Sequence, residues 1–262
     1  MKKDNNEQGR IRKTIKDFRL LDDDFMSRIF DENIECTELI LRIILARPGI
    51  KVKEVHTQRE IKNLLGHSVR LDIAAIDIGE SPIDVEVQRA EKGADVKRAR
   101  YNSSIMDANT LAMGEDYNKL PESYVIFITE TDVLGGNLPI YHADRMIAET
   151  GNPLGDGSHI IYVNGAYQDD SPLGRLMHDF SCKEPDDMYY SELAEPVRYY
   201  KEDVKGVRTM SRIVEELIEE EARETASRLI TVGKMTLEEI ATCTKLPLDV
   251  VRSIATEEKT SA

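Results

Sequence analysis

"RLDIAAIDIGESPIDVEVQ", Arg70 to Gln88, is the stretch on which the reading of the whole chain turns. Taken as two strands about a turn at Gly79-Glu80-Ser81-Pro82, it alternates with a period of two. Val69, Leu71, Ile73 and Ala75 share one face, as do Ile83, Val85 and Val87. Arg70, Asp72 and Ala74 fall on the other face, with Asp84, Glu86 and Gln88 across the turn. Asp72 and Glu86 are an even number of residues apart. Any register that keeps the apolar face together therefore sets both carboxylates on one side. Two readings follow. A hairpin with one solvated face looks like this. So does a cation site, because two neighbouring carboxylates repel and a divalent cation relieves them. Mg²⁺ takes oxygen ligands, binds through one or two carboxylates and keeps its remaining waters for a phosphate substrate.

Outward from the hairpin, the pattern predicts an α/β protein with a central mixed sheet flanked by helices. Upstream, Phe25, Ile29, Phe30, Leu39, Ile40, Ile43 and Ile44 recur at helical spacing across 22–46, and "RPG" at 47–49 stops the helix. "KVKEVHTQREI" (51–61) alternates as a strand. Downstream, 92–114 reads as a helix. "ESYVIFITE" (122–130) is a nearly continuous apolar run of the kind found in a strand buried on both faces, and "HIIYVNG" (159–165) is a second. The Gly- and Pro-rich stretch between them reads as loop. Helices are expected at 171–182, 186–204 and 208–230.

Residues 1–14 are polar and read as a disordered tail; 15–205 form the main domain, and 206–262 a helical C-terminal segment. Within that segment Thr236 and Glu239 are spaced as a capping box. "TKLP" supplies a turn before Leu248, Val251 and Ile254. This suits a helix-turn-helix or a plain helical hairpin that packs on the domain or on a second copy. The second helix offers DNA only Arg252.

The 262 residues carry a net charge of −14 with 40% hydrophobic residues, which is enough for a core and a poor basis for nucleic-acid binding by bulk charge. Charge is segregated, however. "RAEKGADVKRARY" holds Arg89, Lys92, Lys97, Arg98 and Arg100 beside the hairpin, while acid gathers in runs such as "EELIEEEARE" (215–224). The three cysteines are isolated, which indicates neither a disulfide framework nor a zinc site. The five histidines share no ligand spacing, and no phosphate loop or nucleophile elbow is present. "LILRIILA" is too short to span a bilayer, and no signal peptide pattern opens the chain, so a cytoplasmic location and no membrane partner are expected.

Three segments, "VKEVHTQREIKNLLGHSVRLDIAAID", "DVEVQRAEKGADVKRARYNSSIMDA" and "GEDYNKLPESYVIFIT", in that order and spacing, resemble the PD-(D/E)XK nuclease family transposases, the recombination-promoting nuclease group of bacteria. The likeness covers roughly Asp17 to Glu202. It implies a restriction-endonuclease-like core, DNA as the partner and Mg²⁺ or Mn²⁺ as the cofactor. It makes Asp72, Glu86 and the Val87 carbonyl the metal ligands. Gln88 stands where the wider signature has lysine, able to orient a water or hold a phosphate oxygen without a lysine's charge. Glu38, in "CTELILRIIL", becomes the candidate acid on the first core helix, against its plainer reading as an ordinary helix residue. Arg70, Arg89, Lys97, Arg98 and Arg100 become the DNA-contacting residues. The function implied is a metal-dependent DNA endonuclease of transposase type. The alternatives are a catalytically inactive module of the same fold that binds DNA or protein, and an oligomeric role centred on the C-terminal helices.

Overall fold

A computed structural model of the chain describes residues 2–62, 67–89 and 91–261. They divide into two compact units. One is Asp17–Arg198, which holds the sheet; the other joins the residues up to Lys16 to those from Tyr199 onward.

The sheet has six strands: β1 (Val52–Ile61), β2 (Val69–Asp77), β3 (Pro82–Gln88), β4 (Ser123–Thr129), β5 (Ile140–Ala143) and β6 (Ser158–Asn164), in the spatial order β1-β2-β3-β4-β6-β5. β1, β2 and β3 form an antiparallel meander. β3 pairs parallel with β4, reached through the helix α4 defined below, and β4 pairs parallel with β6. Parallel central strands need cover on both faces. Accordingly every residue of β4 is buried, as its unbroken apolar run predicts. β5 is an antiparallel edge strand inside the stretch expected to be loop. It has four residues, and its Tyr141 and His142 pair with Tyr162 and Ile161.

Two helices, α2 (Asp23–Phe30) and α3 (Ile34–Ile44), stand where one was expected over 22–46. Glu32 takes a left-handed φ of 55°, and Asn33 caps α3 by accepting the Cys36 N–H at 3.2 Å. Asx chemistry at the boundary outweighs the continuous apolar stripe. Both helices pack on β1. The crossover helix α4 (Val96–Thr110) lays Ala99 and Met106 on Leu71, Ala74, Val125, Phe127 and Tyr162. Beyond the sheet come α5 (Pro172–Ser181) and α6 (Ser191–Glu202), the latter starting later than the 186–204 expected.

The expected disordered tail is a helix instead, α1 (Lys2–Asp17). Ile11 and Ile15, one turn apart, are 5% and 1% exposed, so a single i, i+4 apolar pair is enough to dock a polar segment. In the same unit lie α7 (Val204–Val232), α8 (Leu237–Thr244) and α9 (Leu248–Ser261). Ala226, Ile240, Leu246, Val251 and Ile254 bury one another, with the expected capping box at Thr236 and Glu239. α8 and α9 are two short helices joined by a tight turn at 245–247, an arrangement common to the helix-turn-helix and the plain hairpin. Arg252 of α9 is turned to Glu238 at 3.5 Å.

Among the described residues no helix is long and apolar enough to cross a membrane.

Candidate active site

The β2–β3 ladder pairs Ala74 with Asp84 and Ile73 with Val85; one step further in that register sets Asp72 opposite Glu86. There the main-chain N–H of Val87 turns to the Asp72 side chain, donating to Oδ2 at 3.1 Å. On the other flank of β2, Thr57 pairs with Ile73 and Arg59 with Leu71, and Gln58 between them is left-handed at φ 53°. That conformation costs a residue other than glycine roughly 1–3 kcal/mol and is typical of functional sites. Its amide reaches Asp23 Oδ1 at 2.7 Å and Ser27 Oγ at 3.0 Å, which ties the start of α2 to the strand beside Asp72.

The acids of this hairpin face do not meet solvent. Asp72 is 6% exposed, and Asp84 and Glu86 are 0% exposed, so the solvated-face reading is wrong. Their partners form one network. Gln88 Nε2 stands 3.4 Å from Asp72 Oδ2 and 3.4 Å from Glu86 Oε2, so one amide nitrogen serves both carboxylates. Asn102 Nδ2 donates to Asp84 Oδ2 at 3.1 Å and to Glu86 Oε1 at 3.4 Å. Arg98 forms an ion pair with Glu86 through Nη2 and donates Nη1 to the Gly93 carbonyl at 2.9 Å. Arg98 and Asn102 are one turn apart on α4, so that helix grips Glu86 by both of its oxygens. Burial pushes the Asp72 carboxyl up to about 6, against the Val87 N–H that lowers it. Burial, and next the charge of Asp72, pushes Glu86 up to about 8 despite Arg98. Asp84 is raised well above the ordinary carboxylate range, chiefly by burial. The three acids crowd beside the Arg98 guanidinium, and their raised pKa values favour the neutral carboxyl until a positive charge joins them.

A pocket of about 640 Å³ opens on this network, lined by Asp23, Arg70, Asp72, Val87, Gln88, Arg89, Arg98 and Asn102 among others. The structure thus brings together Asp72, Glu86, Val87, Gln88, Arg70, Arg89 and Arg98. It does not bring Glu38 there. Glu38 accepts Lys51 Nζ at 2.8 Å and the Val52 N–H at 3.1 Å. Val52 pairs with Asp77, at the far end of β2 from Asp72. A helix acid that satisfies the first N–H of an adjacent strand is a joint between elements, and its spacing in the sequence could not distinguish that from a ligand. Lys97 and Arg100 are exposed but lie off the pocket. α4 buries Ala99, Asn102, Ser103 and Met106, and these two cations ride on other faces of it. Arg89 lines the rim while paired with Asp22 at 2.6 Å and Glu130 at 3.6 Å.

Three residues of the network went unread in the sequence. Asp23 is the acid that the helical layer actually brings to the pocket; the run "LDDDF" was its signal. Alternation puts Asp84 on the hairpin face without marking it for the site. Asn102 carried no signal beyond lying one turn after Arg98.

The donor set suits a hard divalent cation. Two carboxylates already share one donor atom, which marks a point reachable from both. A third buried carboxylate has an oxygen, Asp84 Oδ1, with no hydrogen-bond partner. All the candidate ligands are oxygens, as Mg²⁺ and Mn²⁺ prefer. Among the described residues no group of three or more His, Cys, Asp or Glu is placed to hold a metal ion, so Asp84 does not join Asp72 and Glu86 as a third acidic ligand.

Residues 41–165 match the family model described as PD-(D/E)XK nuclease family transposase. No curated protein matches the chain, and no solved structure does. The matched segment contains all six strands and α4, hence Asp72, Asp84, Glu86, Gln88, Arg98 and Asn102; Asp23 and Glu38 precede it. The mixed six-stranded sheet with flanking helices is the restriction-endonuclease-like α/β core expected. The match points to a nuclease or transposase role, acting on DNA, in a fold family that is generally dependent on divalent metal.

Proposed function

We propose, from the match of residues 41–165 to the PD-(D/E)XK nuclease family transposases, that this chain is a DNA endonuclease that hydrolyses phosphodiesters with Mg²⁺ or Mn²⁺. The observation that carries the reading is the pair of buried carboxylates from neighbouring strands, Asp72 and Glu86, each 3.4 Å from the amide nitrogen of Gln88; Asp72 and Gln88 line the open pocket, and Glu86 lies behind them. Asp72 and Glu86 would hold the cation, with the Val87 carbonyl beside them. Such a cation lowers the pKa of a bound water and offsets charge on the phosphodiester. The remaining steps fall to the chain. The Val87 N–H fixes Asp72, and Asn102 fixes Glu86. Gln88, half-buried between the two, orients the attacking water or a phosphate oxygen by one neutral hydrogen bond. Arg70, with Lys97 and Arg100 further out, supplies phosphate affinity that carries no sequence information. Arg89 acts at the rim, in competition with Asp22 and Glu130.

The test is incubation of the pure protein with supercoiled plasmid in Mg²⁺ or Mn²⁺, with EDTA as control. Nicking or linearisation in metal alone is expected. A second reading has its own observation: the ion pair of Arg98 with Glu86 fills one carboxylate with protein, as a catalytically silent DNA- or protein-binding module would. Under that reading the protein neither cuts plasmid nor binds the cation.

A further inference from the structure

We propose that Glu86 trades Arg98 for a divalent cation, and that the guanidinium so released binds a phosphate of the DNA backbone; this rests on the nuclease reading and deepens it. Every oxygen of Glu86 is already engaged: Oε1 by Asn102 at 3.4 Å, Oε2 by Gln88 at 3.4 Å and by Arg98. Of these partners only Arg98 carries charge. A cation taken up by Glu86 would lie against that guanidinium, in a site whose burial leaves like charges poorly screened. The amides of Asn102 and Gln88 can stay; the guanidinium cannot.

Arg98 has somewhere to go. Its side chain is 36% exposed while that of Glu86 is 0% exposed, so only one side of the pair faces the open pocket. Its Nη1 is held by the Gly93 carbonyl at 2.9 Å, and Cζ lies 5.9 Å from the centre of the Phe127 ring. Neither contact depends on Glu86. Released from the carboxylate, Arg98 pivots about its Gly93 contact and turns Nη2 away from Glu86 toward the pocket, beside Arg70. A guanidinium matches phosphate in geometry as well as charge. Arg98 is then a DNA contact only when the cation is present, and cation and DNA raise each other's affinity through it, as linkage requires.

The experiment measures binding of a short duplex by fluorescence anisotropy, in Ca²⁺ and in EDTA, with calorimetric titration of Ca²⁺ alone. Arg98→Met is expected to weaken duplex binding about tenfold in Ca²⁺ and less than twofold in EDTA, a coupling of ordinary allosteric size. Arg98→Lys keeps a cation beside Glu86 and so preserves the fold if the Met variant does not. It should lose about threefold in Ca²⁺, because an ammonium lacks the planar fork. Equal losses in the two buffers would make Arg98 a standing contact and overturn the exchange. No loss in either buffer would make it a structural partner of Glu86 and overturn it as well. If the wild type binds Ca²⁺ and duplex but the losses are equal, only this proposal falls. If the wild type binds neither, the nuclease reading falls with it.

Discussion

Val87 donates its main-chain N–H to Asp72 Oδ2 at 3.1 Å, so the first acid of the site also fastens β3 to β2 beyond the last Cα pair of their ladder. Asp72 therefore has two tasks that different substitutions separate. Asp72→Ala removes the acceptor and leaves a buried N–H unpaired; it is expected to cost about 1–3 kcal/mol of unfolding free energy in urea titrations. Asp72→Asn keeps an oxygen in place and removes a carboxyl that burial disfavours in its charged form, so at pH 7 it should cost little or raise stability. Equal costs would show that the hydrogen bond does not hold the strands.

Glu38 is expected to be a residue of stability and not of catalysis. Burial pushes its carboxyl up, but the Lys51 ammonium, the Val52 N–H and Arg42 outweigh burial, and the net displacement is downward. A carboxyl lowered on folding contributes stability above its unfolded value, near 4.5, and loses it as pH falls through its folded value. Glu38→Gln should thus be less stable than the wild type by about 1–2 kcal/mol at pH 7, with the gap closing below about pH 4. Its plasmid cleavage at pH 7, measured below the melting range, should be within about twofold of the wild type. Loss of cleavage without loss of stability would return Glu38 to the active site.

Gly93 tests Gln88 from behind. A Cβ built at residue 93 overlaps Gln88 Oε1 and comes within 2.6 Å of its Cδ. The obstacle is the far end of a flexible side chain, so Gly93→Ala should fold with a melting temperature within a few degrees of the wild type. The main-chain carbonyl that holds Arg98 is retained. The displaced amide no longer spans the two carboxylates, and cleavage should fall as far as it does in Gln88→Ala. A Gly93→Ala protein with full cleavage would show that the bridging position of Gln88 is dispensable.

The sheet was legible because burial on two faces leaves an unbroken apolar run at Ser123–Thr129, and the meander because its register flips every side chain if it slips by one residue. The carboxylate pair was legible for the same reason: parity alone sets Asp72 and Glu86 on one side. Three things were not. Parity does not report depth, so the burial of Asp84 and Glu86 beneath α4 needed the packing itself. Helical spacing gives faces but not neighbours. It pointed to Glu38 and passed over Asp23, whereas the left-handed turn at Gln58, with its amide on Asp23, draws α2 to the site. Lastly, a basic run reads as one patch, whereas on a helix Arg98 is turned inward to Glu86 while Lys97 and Arg100 lie elsewhere on its surface.

The decisive mechanistic prediction separates an enzyme from a silent module. Asp72→Asn and Glu86→Gln each remove a ligand's charge with little change of shape. If the cation does the chemistry, each should abolish cleavage, because water activation and charge neutralisation are lost together. Duplex binding in EDTA should remain within a few-fold, since phosphate affinity comes from the cations around the pocket. Gln88→Ala should do less. A neutral amide contributes one positioned hydrogen bond, whose loss costs at most about 10²–10³ in rate by comparison with oxyanion-hole donors. Gln88→Lys is the informative change. The lysine would stand where Gln88 reaches both carboxyls, and its ammonium favours their ionised form. It should be tolerated, and cleavage should hold or rise, as judged by initial nicking rates in Mg²⁺. Nicking that persists undiminished in Asp72→Asn would locate the activity outside this pocket, and no assignment made for Glu86 or Gln88 would survive it.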